Sequence, residues 1–314
     1  MRQQLYLGSV SRRRKEGKYL FLLCIPFFLA TFVFSYLPLF GWSYAFFDYR
    51  IGWNLLRCEF VGFKHFLAPF QNPIVRQEMV RVMANTLGIA LINWAGSILP
   101  LIFAIFLAEI NSGSYRRVIQ TVTTLPNFVS WVLVYALAYA MFAVDDGFIN
   151  NLLKRMGRID QGINFLASNS HMWIKMWLYT CWKGLGWSSI LYIASLSSVD
   201  ETLYEAAVVD GAGRFQKIWY ITVPHLMPTF FTLMVLNIAN LINSGFEQYF
   251  VFQNAINKES IEVLDLFVYN KGIGGSSNNI SYTTAVGILK SVISVILLFL
   301  ANWFSKFVRD EKIF

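Results

Sequence analysis

Charge is scarce in this chain. Only 14% of its 314 residues are Asp, Glu, Lys or Arg, against about 25% in a soluble domain. Cysteine is nearly absent as well. Cys24, Cys58 and Cys181 form no CxxC pair, and Cys24 and Cys181 lie inside apolar runs, which argues against a disulfide framework or a thiolate metal site. His171 and His225 have no ligand partners at metal spacing, so no metal is expected. No GxxxxGK[ST] phosphate loop occurs, and "GIGGSS" at 272–277 lacks both the lysine and the spacing. Any ATP must then be bound by another subunit, and no cofactor is expected on this one. Internal repeats and low-complexity linkers are also missing. The net charge of +8 comes without zinc-finger spacing, and the basic residues gather at the ends of apolar runs, which suits membrane orientation and not nucleic acid.

What is present is apolar length. Hydrophobic residues make up 56% of the chain, with a mean hydropathy of +0.49. Several runs approach or exceed the ~20 residues that cross a hydrocarbon core about 30 Å thick. Six spans are expected, at 19–41, 84–108, 120–143, 172–196, 228–252 and 282–305. Lipid leaves only helices or closed barrels to satisfy the backbone, and runs of this length mean helices. The expectation is an all-α polytopic membrane protein forming one domain over 1–314, with a basic tail (1–18), a membrane core (19–308) and a short second tail (309–314). The stretch "SRRRKEGK" followed by an apolar run resembles a signal peptide, but the run is too long and lacks an Ala-x-Ala site. It reads as the first span.

Lysine and arginine set the expected orientation. Arg2, Arg12, Arg13, Arg14, Lys15, Lys18, Arg116, Arg117, Arg214, Lys217, Lys306, Arg309 and Lys312 fall on one side. The positive-inside rule makes that side, with both termini, cytoplasmic. Tyr36, Trp42, Tyr44, Trp173, Trp177, Trp219, Tyr220 and Trp303 lie near the proposed span ends and read as interfacial belts. Lys175 reads as a snorkelling interfacial lysine.

Between spans four and five lies "EAAVVDGAGRFQKIWYITVP" at 205–224. Ser198 with Glu201 fits a capping box that starts a helix near Val199. Leu203, Ala206 and Ala207 then share one face. Gly211 and Gly213 break the helix, "RFQKIWYI" continues as an amphipathic piece, and Pro224 and Pro228 suit the start of the next span. A small alanine-rich face beside acidic and basic groups can enter a partner's groove; it can equally be a surface helix that connects two spans.

The pattern Glu-Ala-Ala, three residues, Gly, nine residues, Ile, one residue, Leu-Pro resembles the signature of permease subunits of binding-protein-dependent ABC importers. It falls here on Glu205, Ala206, Ala207, Gly211, Ile221 and Pro224, with Val223 in place of Leu. Asp210, Ala212, Arg214 and Pro228 extend the likeness toward the sugar-importing, maltose-type branch. "LPNFVSWV" at 125–132, "DDGFIN" at 145–150, "WKGLGWSS" at 182–189 and "YTTAVGILKSV" at 282–292 look like its LplB-type subgroup, which carries complex oligosaccharides. The resemblance implies a passive permease in a bacterial plasma membrane. Its partners would be a second permease, an ATP-binding subunit gripping Glu205 to Arg214, an extracellular solute-binding lipoprotein and an oligosaccharide. The alternatives are the same machine carrying a non-sugar solute, a membrane enzyme acting on lipid-linked sugar, and a sensor without transport. Asp145 and Asp146 are an adjacent acidic pair that an enzyme could use.

Polar groups inside spans face a cavity or another helix. Asn237, Asn240, Ser244 and Glu247 step by three, four and three along the fifth span, with Gln248 beside them. Amides and hydroxyls suit sugar hydroxyls, although such groups also glue helices together. Lys183 and Lys290 are further candidates for the path, and Lys290 is expected to pair with Glu247.

Overall fold

The structure is a computed structural model that describes residues 20–275 and 278–309, the last six as backbone only. The basic residues of 1–18, Lys312 and the side chains of Lys306 and Arg309 lie outside the described residues. Helices dominate throughout. The described residues contain no sheet, only an isolated antiparallel bridge between Phe47 and Phe60, as lipid requires of an open chain.

Helix α1 (Leu20–Phe46) tightens to 3₁₀ geometry over its last ten residues. A short α2 (Lys64–Gln71) precedes α3 (Pro73–Ala108). Then come α4 (Gly113–Phe128) and α5 (Trp131–Phe142), α6 (Phe148–Arg155), α7 (Met172–Leu196), α8 (Glu201–Val209) and α9 (Arg214–Ala239). The short α10 (Glu247–Phe252), α11 (Lys258–Ile261) and α12 (Leu264–Gly272) lead to α13 (Ile280–Arg309). Of the described helices, α1, α3, α9 and α13 are long and apolar enough to cross a membrane, and α4 with α5 can supply a fifth crossing. α7 is as long, but Trp173, Trp177, Trp182, Trp187, Lys175 and Lys183 make it less apolar. It is the centre of the bundle, packed against α3, α4 and α9.

The helices depart from the expected spans in instructive ways. Residues 172–196 form α7 as read. The second span begins eleven residues early, because "PIVRQEMVRVM" is polar yet helical, capped by Asn72 accepting from the amides of Ile74 and Val75 with Pro73 at the first position. At 1.5 Å per residue α3 runs ~54 Å, well beyond a ~30 Å core. The third span is not one helix: α4 and α5 meet at 104°. Pro126 supplies no N–H, Val129 is extended, and Ser130 caps α5 by accepting from Leu133. The fifth span starts at Arg214, winds through a π-type turn at Ile218–Thr222 and continues as α-helix past Pro224 and Pro228. It then stops at Ala239, and Gly245 holds φ +83° before α10. Asn237, Asn240, Ser244 and Glu247 therefore do not share one helical face.

Close approach builds the centre. A Cβ added to Gly186 would stand 2.3 Å from the carbonyl oxygen of Thr123, and one on Gly96 would stand 2.4 Å from the Trp177 ring nitrogen. Small residues let helices meet where lipid provides no hydrophobic drive. Trp173 donates its ring N–H to Asn85 (3.1 Å), so Trp173 and Trp177 pack on α3. Lys175 donates to the carbonyls of Phe165 (2.8 Å) and Ser168 (3.1 Å), so it too is held by protein.

The segment between the last two long helices folds back into the bundle. Leu266 and Phe267 of α12 are fully buried against α3 and α13. This brings Asp265 to Lys290, and the two form an ion pair. Lys290 thus pairs with Asp265 and not with Glu247, whose side chain is exposed at the start of α10. A residue buried by a fold-back is invisible to hydropathy.

Two outcomes check this packing. Gly186→Leu should cost about 1–3 kcal/mol by overpacking and lower the melting temperature of the purified protein. Gly287→Ala, whose Cβ meets nothing within 4 Å, should not. Changing Lys290 or Asp265 to Ala should cost between the ~1 kcal/mol of an exposed pair and the ~3–5 kcal/mol of a fully buried one. Exchanging the two residues should restore most of it; a melting temperature that stays low in the exchanged protein contradicts the pairing.

Candidate functional site

A cavity of about 660 Å³ opens between α3, α7 and α9. Asn93, Ser97 and Trp94 reach it from α3, Thr180, Trp177, Trp187 and Ser188 from α7, and Asn237, Asn240, Asn243 and Ser244 from α9 and the break beyond it. A second cavity of about 400 Å³ adjoins it, sharing Asn93, Thr180 and Ser244 and adding Glu247 and Gln248. The break after Ala239 is what aims these residues inward. The chain turns at Asn240, whose side-chain amide donates to Leu236 O (3.0 Å), so residues that a straight helix would spread along a stripe converge on one hollow.

Other sequence candidates are held elsewhere. Gln248 lines the second cavity, but its amide donates to Met176 O (2.8 Å) and accepts from Thr180 Oγ1 (2.9 Å). Lys183 lines neither cavity, although the Trp131 ring it stands over lines the second. Its Nζ donates to Asn127 O (2.6 Å) and lies 5.5 Å from the Trp131 ring centre, where it satisfies a carbonyl left open by the break between α4 and α5. Lys290 is committed to Asp265. The sequence reading missed Trp94, Trp177 and Trp187 as lining residues, along with Asn93, Ser97, Thr180 and Ser188. The signal was there in helical spacing: Asn93 with Ser97, and Thr180, Gly184 and Ser188, each step by four.

The polar loop forms a helical hairpin. Asp200, not Ser198, caps α8, accepting from the amide of Thr202 (3.0 Å). The bonds from Thr202 hold its carboxyl below the usual carboxylate range. The cap therefore stabilises α8 above the ordinary carboxylate pKa and fades as pH falls through the lowered value. Ser198 Oγ instead donates to Ser195 O (2.7 Å) and faces His225 Nε2 (3.2 Å). Gly211 turns the chain at φ +78°, a left-handed conformation that any side chain would strain. Gly213 donates its N–H to Gln216 Oε1 (2.7 Å), opening α9.

The hairpin is fastened to the bundle on one side only. Tyr204 Oη and Thr222 Oγ1 lie 2.9 Å apart, joining α8 to α9. Arg214 pairs with Glu109 at the end of α3 and donates to its carbonyl (2.8 Å). The outer face carries Glu205, Ala206, Asp210 and Gly211, all exposed, with Val209 and Phe215 more than four-fifths exposed. Ala207 and Ala212 are half-buried behind them, and Pro224 sits in the first turns past the π-type segment.

Comparison with known proteins agrees with this architecture. Residues 96–310 match the family described as binding-protein-dependent transport system inner membrane component. The protein LplB of Bacillus subtilis is 38% identical over 96% of this chain and 92% of its own length. The polygalacturonan/rhamnogalacturonan transport system permease protein YteP of the same organism is 35% identical over 95% of this chain and 91% of its own. Among solved structures, a bacterial alginate ABC transporter in complex with an alginate pentasaccharide-bound periplasmic protein contains a chain that superimposes with a TM-score of 0.83 at 28% identity. The match covers 96% of this chain and 99% of that one. The chain belongs to the inner membrane components of binding-protein-dependent transport systems, and it is a multi-pass permease.

Proposed function

We propose that this permease imports an oligosaccharide, enclosing the path with a second permease and driven by a separate ATP-hydrolysing subunit. The observation that carries the reading is the cavity between α3, α7 and α9. Its amides and hydroxyls can both donate to and accept from sugar hydroxyls. Its three tryptophans offer flat apolar faces with a polar edge, the surface a pyranose ring needs. The names of the polygalacturonan/rhamnogalacturonan permease and the alginate transporter support the same substrate class.

In this reading the exposed hairpin of α8 and the start of α9 is the contact for the ATPase. Glu205, Ala206, Asp210, Gly211 and Ala212 form its tip, Arg214 and Tyr204 hold it to the bundle, and Pro224 lies in the helix that carries it. The tip is unpacked on its outer side and bonded on its inner side, so a partner that moves it moves α9. α9 ends at the cavity. Closure of the ATPase on nucleotide would then shift Asn237, Asn240 and Ser244 against α7 and change which side of the membrane the cavity faces, a rigid-body switch. The chain works as one six-crossing unit with α7 as the fourth crossing. Both termini face the cytoplasm, which the basic residues Arg116, Arg117, Arg214 and Lys217 at the hairpin end favour. ATP and magnesium belong to the partner, and an extracellular binding protein delivers the cargo.

Reconstituted vesicles test this. Replacing Asn237 and Asn240 together by Leu removes two polar partners worth roughly 1 kcal/mol each, so uptake of labelled oligosaccharide should fall roughly thirtyfold. Membrane insertion should persist. Gly211→Asp should strip the ATPase subunit from the purified complex and abolish uptake. Full uptake in both variants would refute the reading.

A further inference from the structure

We infer that the path through this subunit selects uncharged oligosaccharides and disfavours those bearing uronate carboxylates. The inference rests on the oligosaccharide reading above and concerns the chemistry of the same two cavities. It runs against the acidic cargo named for two of the relatives above, the alginate transporter and the polygalacturonan/rhamnogalacturonan permease.

The lining is the first ground. Asn93, Asn237, Asn240 and Asn243 contribute neutral amides, and Ser97, Thr180, Ser188 and Ser244 contribute hydroxyls. Among the described residues no lysine, arginine or histidine lines either cavity. A carboxylate stripped of water needs a cation or several charge-assisted donors, whereas a hydroxyl is satisfied by a single amide or another hydroxyl.

The second ground is where the nearby cations have gone. Lys175 and Lys183 both lie on α7, the helix that lines the path, yet neither lines a cavity and each is bonded to backbone carbonyls; Lys183 stands behind the Trp131 ring that walls the second cavity. Lys290 is paired with Asp265. Each is satisfied without cargo.

The third ground is positive. Ser244 lies where the two cavities join, and its Oγ is buried without a hydrogen-bond partner. A buried hydroxyl left open asks for a group that can both donate and accept. A sugar hydroxyl does so. Close by, Glu247 is the charged residue lining the second cavity, and it accepts from a neutral hydroxyl while repelling a uronate.

The test uses the intact importer, purified with its partner permease and ATPase and without the binding protein, whose own preference would mask that of the pore. The probes are α-1,4-linked trigalacturonate and the same trisaccharide with its carboxyls reduced to hydroxymethyl groups. Binding is read by equilibrium dialysis and by quenching of tryptophan fluorescence. The reduced trisaccharide should bind at least about tenfold more tightly, a difference of ~1.4 kcal/mol. Glu247→Gln should narrow that ratio. Equal binding, tighter binding of trigalacturonate, or a ratio that Glu247→Gln leaves unchanged overturns the charge selection while leaving the sugar path standing. If neither trisaccharide binds nor quenches, the oligosaccharide reading fails and this inference falls with it.

Discussion

A helix that breaks inside a bilayer exposes carbonyls and amides with no water to receive them, so the break survives only where protein covers it. Among the described residues such a break occurs between α4 and α5 and again after α9. Both breaks lie against α7. Lys183 reaches from α7 to the open carbonyl of Asn127, and Gln248, just past the second break, is held by Met176 O and Thr180 of the same helix. The central helix therefore has to supply polar groups, which is why it is less apolar than its neighbours. The hollow beside it is the same constraint seen from the other side: irregular backbone in a membrane lines a cavity or is buried in protein.

The hairpin and the cavity are the two ends of one helix. α9 starts at the glycine-turned tip and runs without a break to Ala239. It passes through a π-type turn at Ile218–Thr222 and continues past both prolines. The contacts of Tyr204 with Thr222 and of Arg214 with Glu109 make the tip a lever on both α9 and α3. Those are two of the three helices that wall the cavity. Motion at the tip has a short mechanical route to the groups that would hold a cargo.

The helical class, the length and position of α7, and the two glycines of the loop were legible in the sequence, because hydropathy and turn chemistry are local. The breaks were less so. Pro126 was visible, but whether a proline kinks or breaks a span depends on Lys183 standing 57 positions away in sequence to cap it. The break after Ala239 has only Gly245 to mark it. Asn237, Asn240 and Ser244 were picked out for sharing a helical face they do not share, and they reach the same cavity by the turn instead. Asp265 was missed because its depth comes from α12 folding back on α13. Trp177 passed for an interfacial residue, since a ring at a cavity wall and one at a membrane surface have the same local signature. Asp200 was overlooked beside Ser198, whose hydroxyl the neighbouring His225 had already engaged.

The central claim is that the cavity beside α7 is a passage opened to alternate sides by the hairpin. Cys181 lines that cavity and becomes a native reporter once Cys24 and Cys58 are replaced by Ser. A membrane-impermeant maleimide added from either face of vesicles holding the complete importer reads its access. The account predicts labelling from one face without nucleotide and from the other when the ATPase is trapped on ATP. Labelling that is the same in both states, or absent from both faces, would contradict it.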